Sequence, residues 1–152
     1  MIQRLKLDEI DLAILRLLRQ DSRMSLTEMS RQIDTPDSTI QFRIKRLKEQ
    51  EIIDKFTITI SPDAIGYTVT AIMLVKIEAD KHDTAKTALS KILEISEVYS
   101  VLGEYDLFIK VWSKSLENLN ELINDKIRSI EGIEDLMEIV VVERVKEESP
   151  SI

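Results

Sequence analysis

Hydrophobic residues in the first third of the chain recur with the period of an α-helix. Leu7, Ile10 and Ile14 follow one another at spacings of three and four, and this spacing predicts an amphipathic helix. Asp8 and Asp11 stand at its start, where the helix macrodipole favours carboxylates. The first predicted element is thus a helix with one apolar face.

Capping signals predict two further helices. Ser25 precedes Glu28 by three residues, the spacing of a capping box, so a short helix is expected to start at Leu26. Pro36 suits the first turn of the next helix because it has no N–H to donate, and Thr35 can cap that helix. The apolar stripe of this third helix consists of Ile40, Ile44 and Leu47. A short helix, a tight turn and a longer helix together predict a helix-turn-helix.

The other face of the third helix is polar and basic. Its hydroxyl, amide and guanidinium groups can read base edges in a major groove, and its later cations can hold phosphates. We therefore expect this face to bind double-stranded DNA. The candidate DNA-binding residues are Ser38, Thr39, Gln41, Phe42, Arg43, Lys45 and Arg46. A three-helix bundle with a merely solvated basic helix is the alternative.

The second half of the chain changes to strand periodicity. Residues 56–60 alternate between apolar residues and threonine, which predicts a strand, and Pro62 and Gly66 then break the chain. Further strands are expected at 69–77, 98–102, 107–112 and 139–145. Two helices lie between them, one capped by Asp83 with Leu93 among its inward residues, and one opened by Ser115. The order of the last six elements is βαββαβ.

Two similar βαβ halves predict a ferredoxin-like sandwich, in which one antiparallel sheet carries both helices on one face. The fold class expected is therefore α+β, with an N-terminal three-helix helix-turn-helix domain, a strand linker and a C-terminal ferredoxin-like βαββαβ domain. The predicted boundaries are 1–54, 55–67 and 68–147, followed by a tail at 148–152. Strands 71–77 and 140–142 are apolar on both sides, so we expect a C2 dimer that covers the second face of the sheet.

Composition removes several classes of function. The chain has no Cys, one His and three Gly, so disulfides, thiolate metal sites and a P-loop are excluded. We expect no cofactor, no metal, no membrane segment and a cytoplasmic location. The net charge is −7, but residues 1–55 carry +1 and the remainder −8. Since screening makes phosphate attraction local, the acidic total does not argue against DNA.

Several short motifs also occur in one order at characteristic spacings. They are Leu7-Asp8-Glu9-Ile10-Asp11 with Ile14-Leu15, Arg43-Ile44-Lys45-Arg46-Leu47 with Ile52-Ile53, Ile60-Ser61-Pro62 with Ile65-Gly66-Tyr67, Gly103-Glu104-Tyr105-Asp106, and Gly132-Ile133. In these motifs the chain resembles the Lrp/AsnC family of prokaryotic transcription regulators, and the resemblance covers nearly its whole length.

The resemblance implies a sequence-specific DNA-binding regulator that assembles as a dimer, commonly as an octamer of four dimers. With C2 symmetry the DNA site would be pseudo-palindromic. The resemblance also implies a small effector, usually a free amino acid, bound between dimers near the 103–106 turn. The backbone N–H groups of that turn could hold a carboxylate and Asp106 an ammonium. The effector residues implied are Leu102, Gly103, Glu104, Tyr105, Asp106, Leu136 and Glu138.

Two positions depart from the family pattern. Glu51 stands where the family often has Gly, so the third helix is expected to end differently. Glu138 would repel an effector carboxylate, or would favour a basic side chain such as that of lysine or arginine. Alternatively, Glu138 indicates that the protein responds to no amino acid.

Two other classes of function fit the sequence less well. The N-terminal helices of an amino-acid-sensing or enzyme-regulatory module would bind protein, but that needs an apolar stripe, and Phe42 is the only large apolar residue on the exposed face. An enzyme lacks support because the carboxylates are scattered. Tyr105 and Asp106 are better explained by a hairpin turn or ligand contact than by acid–base catalysis, and His82 by a solvated position. We therefore expect no catalytic residue.

Overall fold

The computed structural model describes residues 6–147 of the 152-residue chain. The chain divides into two compact units, with the boundary between Thr59 and Ile60. The predicted tail at 148–152 lies outside the described residues. The two units are described separately below as the N-terminal and C-terminal units.

The N-terminal unit consists of three helices, as predicted: α1 (Glu9–Gln20), α2 (Leu26–Ile33) and α3 (Asp37–Glu49). The Ser25 hydroxyl accepts a hydrogen bond from the Glu28 N–H at 3.2 Å, which confirms the predicted cap of α2. The Glu28 carboxylate, however, accepts from the Gln32 side chain. The three helices enclose a core made of Ile14, Leu17, Met29, Ile40 and Leu47.

The start of α3 differs from the expectation. Thr35 does not cap the helix, because its hydroxyl donates to the Ile33 carbonyl at 3.1 Å and its side chain is buried. Pro36 occupies the N-cap position without a side-chain hydrogen bond, and its carbonyl accepts from the N–H of Ile40. Pro36 therefore ends the turn between α2 and α3 and sets the direction in which α3 leaves it.

The end of α3 explains the family preference for glycine at position 51. Glu51 has a φ of 56°, a left-handed conformation. The N–H of Ile52 donates to the Leu47 carbonyl and that of Glu51 to the Lys48 carbonyl, the two bonds of a Schellman motif. A residue with a Cβ is strained at this position.

Glu51→Gly is therefore expected to raise the free energy of unfolding of the N-terminal unit by about 0.5–1 kcal/mol. Glycine relieves the strain of positive φ. It also loses more backbone entropy on folding than glutamate does, and this offsets part of the gain. Urea denaturation followed by circular dichroism measures the change. Glu49→Gly, in the last turn of regular α3, is the matched control and should lose about 1 kcal/mol. Equal losses for both variants would contradict this explanation.

The predicted linker strand is not formed within the chain. Residues 56–60 belong to no helix or strand in the part of the chain described, and their apolar members are exposed. Alternation of apolar residues with threonine gives strand propensity, but a strand needs a hydrogen-bonded neighbour. This expectation was wrong for a single copy of the chain.

The C-terminal unit has the predicted βαββαβ order. Its strands are β1 (Val69–Ile77), β2 (Ile95–Ser100), β3 (Leu107–Ser113) and β4 (Ile133–Val140). They form one antiparallel sheet in the order β2-β3-β1-β4. Helix α4 (His82–Leu89) and helix α5 (Leu116–Glu121), which continues as a π-helical segment (Leu122–Ile127), pack on one face. The ferredoxin-like architecture is thereby confirmed.

Three local expectations for this unit need correction. The last strand lies at Ile133–Val140, earlier than the predicted 139–145, because β4 is an edge strand that pairs with β1 through its backbone while Leu136 is its only buried residue. Leu93 is 97% exposed, since α4 ends at Leu89. Asp83 lies inside the first turn of α4 and pairs with Lys86, while Lys81 takes the N-cap position.

The face of the sheet away from the helices is apolar and uncovered in one copy of the chain. Leu74 pairs with Phe108 on one side and Met137 on the other, and Ile72 pairs with Ile139. Met137 and Ile139 are exposed and the other three are half-buried. Within residues 6–147 no helix combines the length and the apolar character needed to cross a bilayer.

Candidate functional site

Helix α3 presents a continuous polar stripe to solvent. Ser38, Gln41, Phe42 and Lys45 stand at positions i, i+3, i+4 and i+7, which places them on one side of the helix. All four are exposed, Phe42 by 65%. We call these four residues the open stripe. It offers a hydroxyl, an amide, an aromatic ring and one cation at the helix that follows the turn.

Two predicted DNA-binding residues lie elsewhere. Arg43 and Arg46 do not belong to the open stripe, which corrects the expectation that both guanidinium groups face outward. Arg43 Nη1 lies 2.7 Å from both carboxylate oxygens of Asp8 and 3.0 Å from Asp11 Oδ1. Arg46 Nη2 lies 2.7 Å from both oxygens of Asp11. Thr39, four residues before Arg43 on α3, is half-buried.

The physical reason is the charge buried in α1. Asp11 is fully buried, and a buried carboxylate is costly unless cations and hydrogen bonds satisfy it. The hydrogen bond from Arg43 lowers the pKa of Asp8 to about 2 and raises the pKa of Arg43. We call Asp8, Asp11, Arg43 and Arg46 the aspartate–arginine cluster.

In the C-terminal unit, the 103–106 turn is pinned to β1 by Asp106. Its carboxylate accepts from the Ile77 N–H at 2.8 Å, and its own N–H donates to the Val75 carbonyl at 2.9 Å. His82 Nε2 lies 3.7 Å from the other carboxylate oxygen. Sequence analysis missed His82 as a neighbour of the turn, because the start of α4 and the turn are more than twenty residues apart in the chain.

The turn and the strand after Gly132 are neighbours, as the resemblance implied. Burial raises the pKa of Tyr105, and the carboxylates of Asp135 and Glu104 add to that rise. Asp135 was not among the predicted effector residues, although it lies in the strand that they point to. Glu104 and Leu102 are exposed, so the tip of the turn is open to solvent.

Two of the predicted effector residues have other partners. Leu136 is buried in the core between the sheet and the helices, so in this structure its side chain is part of the fold. Glu138 accepts a hydrogen bond from Arg128 at 2.8 Å. Its charge is therefore matched within the chain, and the argument that Glu138 would repel a carboxylate or select a basic effector loses its basis.

A separate cavity of about 420 Å³ opens beside β3 and α5. Tyr67, Trp112, Lys114 and Asn118 are among the residues that line it, and Lys126 is hydrogen-bonded to Glu94 at its wall. None of its lining residues belongs to the predicted effector set. The 103–106 turn does not line this cavity and would need further surface to enclose a ligand.

Comparison with known proteins assigns both halves of the chain. The AsnC-type helix-turn-helix domain matches residues 7–48, and the Lrp/AsnC ligand binding domain matches residues 70–151. The HTH-type transcriptional regulator FL11 of Pyrococcus furiosus is 40% identical over 141 residues, covering 93% of each chain. FL11 of Pyrococcus horikoshii is 40% identical over 144 residues, covering 95% of each.

Solved structures agree with this assignment. AsnC of E. coli superposes with a TM-score of 0.92 at 26% identity, covering 96% of this chain and 99% of that one. A transcriptional regulator of Neisseria meningitidis, solved as a complex with L-Met, shares the fold with a TM-score of 0.89 at 22% identity, covering 93% and 94%. The chain therefore belongs to the Lrp/AsnC family and is a helix-turn-helix transcription regulator with a ligand-binding domain.

Proposed function

We propose that this regulator reads double-stranded DNA through the open stripe of α3. The observation that carries the proposal is the exposure of Ser38, Gln41, Phe42 and Lys45 along one side of the helix that follows the turn. In a major groove the Gln41 amide can bond an adenine edge, and the Phe42 ring can contact a thymine methyl group. Lys45 can hold a phosphate. The proposal assigns the chain no catalytic role and places it with the DNA, in the cytoplasm.

The open stripe does not favour a protein groove. A helix that docks on a protein carries apolar anchors at helical spacing. Here Phe42 stands between Ser38, Gln41 and Lys45, so the stripe holds one apolar side chain among three polar ones. Hydrogen-bonding groups of this kind fit base edges better than an apolar groove.

Gln41→Ala is expected to weaken specific binding by about 1–3 kcal/mol, the value of one bidentate contact to a base. Gel-shift titration against a duplex selected from a random pool measures the change. Gln20→Ala is the matched control, since Gln20 is an exposed amide at the end of α1 and its loss should leave affinity unchanged. Unchanged affinity for Gln41→Ala would remove this residue from the proposed interface.

We propose that two copies join through the uncovered face of the sheet. Ile72, Leu74, Phe108, Met137 and Ile139 present apolar area there, and burying it against a second sheet releases water from both. An isologous dimer would place two α3 helices on a pseudo-palindromic site, with half-sites about one helical turn or a multiple apart. From the family resemblance we also propose assembly beyond the dimer, up to an octamer of four dimers, in which the fully exposed Leu102 would be available for contact.

We further propose that an amino-acid-type effector binds at the 103–106 turn between dimers. Support comes from the open tip of the turn, from the carboxylates of Glu104, Asp106 and Asp135 that could hold an ammonium group, and from the L-Met bound to the Neisseria regulator of the same fold. Leu136 and Glu138 would act indirectly, since one is buried in the core and the other is paired with Arg128.

Asp106→Asn is expected to abolish any rise in melting temperature caused by an amino acid. The amide oxygen can still accept from the Ile77 N–H, so the turn keeps its shape while the charge that holds an ammonium is lost. Thermal scans with each of the twenty amino acids test this, with Asp83→Asn in α4 as an exposed control. The absence of a shift in the parent chain with all twenty would remove the effector proposal.

A further inference from the structure

The aspartate–arginine cluster joins the start of α1 to the middle of α3. Three contacts of 3.0 Å or less hold Arg43, and two of 2.7 Å hold Arg46. The Arg43 side chain is only 17% exposed. Arg46 Nε is buried and has no hydrogen-bond partner among residues 6–147. The Arg43 guanidinium is therefore largely enclosed by the N-terminal unit, and Arg46, whose side chain is 30% exposed, is partly enclosed.

The two carboxylates are themselves fixed by the backbone. Asp8 Oδ1 accepts from the Asp11 N–H at 2.9 Å, and Asp11 Oδ2 accepts from the Asp8 N–H at 3.2 Å. This reciprocal capping box sets the position of both side chains at the first turn of α1. The carboxylates thus form a rigid receptor, and the guanidinium groups of α3 fit into it.

Arg43 makes its contacts through Nη1 and Arg46 through Nη2, so a guanidinium group that left these positions for a DNA phosphate would break the receptor. If Arg46 left, Asp11 would lose two of its contacts while buried, which is strongly unfavourable. The four charges of the cluster also sum to zero, so the cluster adds no net attraction for a polyanion. A guanidinium group in this setting orients the helix that carries it.

We propose that Asp8, Asp11, Arg43 and Arg46 are positioning residues, which set the orientation of α3 and hence of the open stripe in the groove without touching DNA. This inference rests on the proposed function, since it assumes that the open stripe reads the bases. It predicts a change in DNA affinity of unusual sign. Neutralising the acidic residue Asp8 should weaken specific DNA binding, although removing a negative charge near DNA would ordinarily strengthen it.

The experiment compares Asp8→Asn and Arg43→Gln with Glu9→Gln and Lys45→Gln, at a temperature where circular dichroism shows every variant folded. Glu9 is an exposed carboxylate in the same turn of α1, and Lys45 is the cation of the open stripe. Affinities for a selected duplex and for a random duplex are measured across a range of salt concentrations.

We expect Asp8→Asn and Arg43→Gln to lower the ratio of specific to random affinity about tenfold, the effect of one lost base contact. The slope of log affinity against log salt should stay that of the parent. Lys45→Gln should reduce that slope by about 1, as loss of one phosphate contact does. Glu9→Gln should leave the ratio unchanged, and Asp8→Glu, which keeps the carboxylate, should recover part of it.

A slope reduced by about 1 in Arg43→Gln would overturn the inference, because Arg43 would then neutralise a phosphate. An unchanged or higher specific affinity in Asp8→Asn would overturn it as well. If Lys45→Gln and Gln41→Ala leave binding unchanged, the proposed function itself fails. If only the inference about the aspartate–arginine cluster is wrong, the open-stripe variants still weaken binding, so the two failures can be distinguished.

Discussion

Asp11→Ala is expected to lower the free energy of unfolding of the N-terminal unit by about 3–5 kcal/mol, the cost of breaking a buried ion pair on one side only. Asp11 is fully buried, accepts from Arg43 and Arg46, and closes the capping box of α1 with Asp8. Its loss leaves two guanidinium groups without a buried acceptor and the Asp8 N–H without its partner.

Urea denaturation followed by circular dichroism measures this loss, with Glu9→Ala as the control. Glu9 lies in the same turn but is exposed, so its removal should cost no more than about 0.5 kcal/mol. A loss below 1 kcal/mol in Asp11→Ala would mean that the cluster adds little to the fold.

Unfolding at acid pH tests the stabilisation by the cluster independently. Asp8 has a pKa lowered from 3.8 to about 2, so its stabilisation is present above pH 4 and disappears as the pH falls towards 2.

Gly132→Ala is expected to destabilise the C-terminal unit by roughly 2–4 kcal/mol, the sum of left-handed strain and overpacking. Gly132 has a φ of 93°, and a Cβ built there would lie 2.3 Å from Lys81 Cβ. Its carbonyl also accepts from the Glu78 N–H at 2.9 Å. The backbone of Gly132 therefore passes directly beside the residue that precedes α4, and only a residue without a side chain fits.

Gly66→Ala separates the two causes. Gly66 has a φ of 88°, but a Cβ there would meet no atom within 4 Å. Its substitution should therefore show only the strain, about 1–2 kcal/mol. Calorimetric unfolding of both variants gives the comparison. If Gly132→Ala loses no more stability than Gly66→Ala, the close approach of Lys81 does not limit this position.

Periodicity was sufficient to predict the architecture of both units. Spacings of three and four placed Ile14, Ile40 and Leu47 in one core, and the structure confirms all three as buried. Alternation and turn residues predicted the βαββαβ order of the C-terminal unit, which the structure confirms, but they also predicted a linker strand at 56–60 that is absent. The position of β4 was harder to predict, because an edge strand with one buried residue has little hydrophobic pattern.

The role of the arginines could not be predicted from charge alone. Arg43 lies three residues after Ile40 and four before Leu47, so it borders the buried stripe and can reach back to α1. Its partners, Asp8 and Asp11, lie more than thirty residues earlier, and only the packing of α1 on α3 brings the four charges together. The sequence shows basic residues on α3, but not which of them are already neutralised.

The candidate effector region shows a similar limit. The resemblance placed the 103–106 turn beside the strand after Gly132, and the contact between Tyr105 and Asp135 agrees with it. Leu136 and Glu138 lie on the same face of β4, where their β1 partners Val75 and Met73 are buried, yet their neighbours differ. Leu136 faces the helices and Glu138 meets Arg128, which a motif by itself does not reveal.

Site-specific crosslinking tests the central claim most directly, since the chain has no cysteine of its own. Gln41→Cys and Gln20→Cys each receive a photoreactive group and are bound to a selected duplex. Binding of the open stripe in a DNA groove predicts crosslinks from position 41 to bases inside each half-site and none from position 20. Position 41 free of crosslinks while the protein remains bound, or equal crosslinking from position 20, would contradict it.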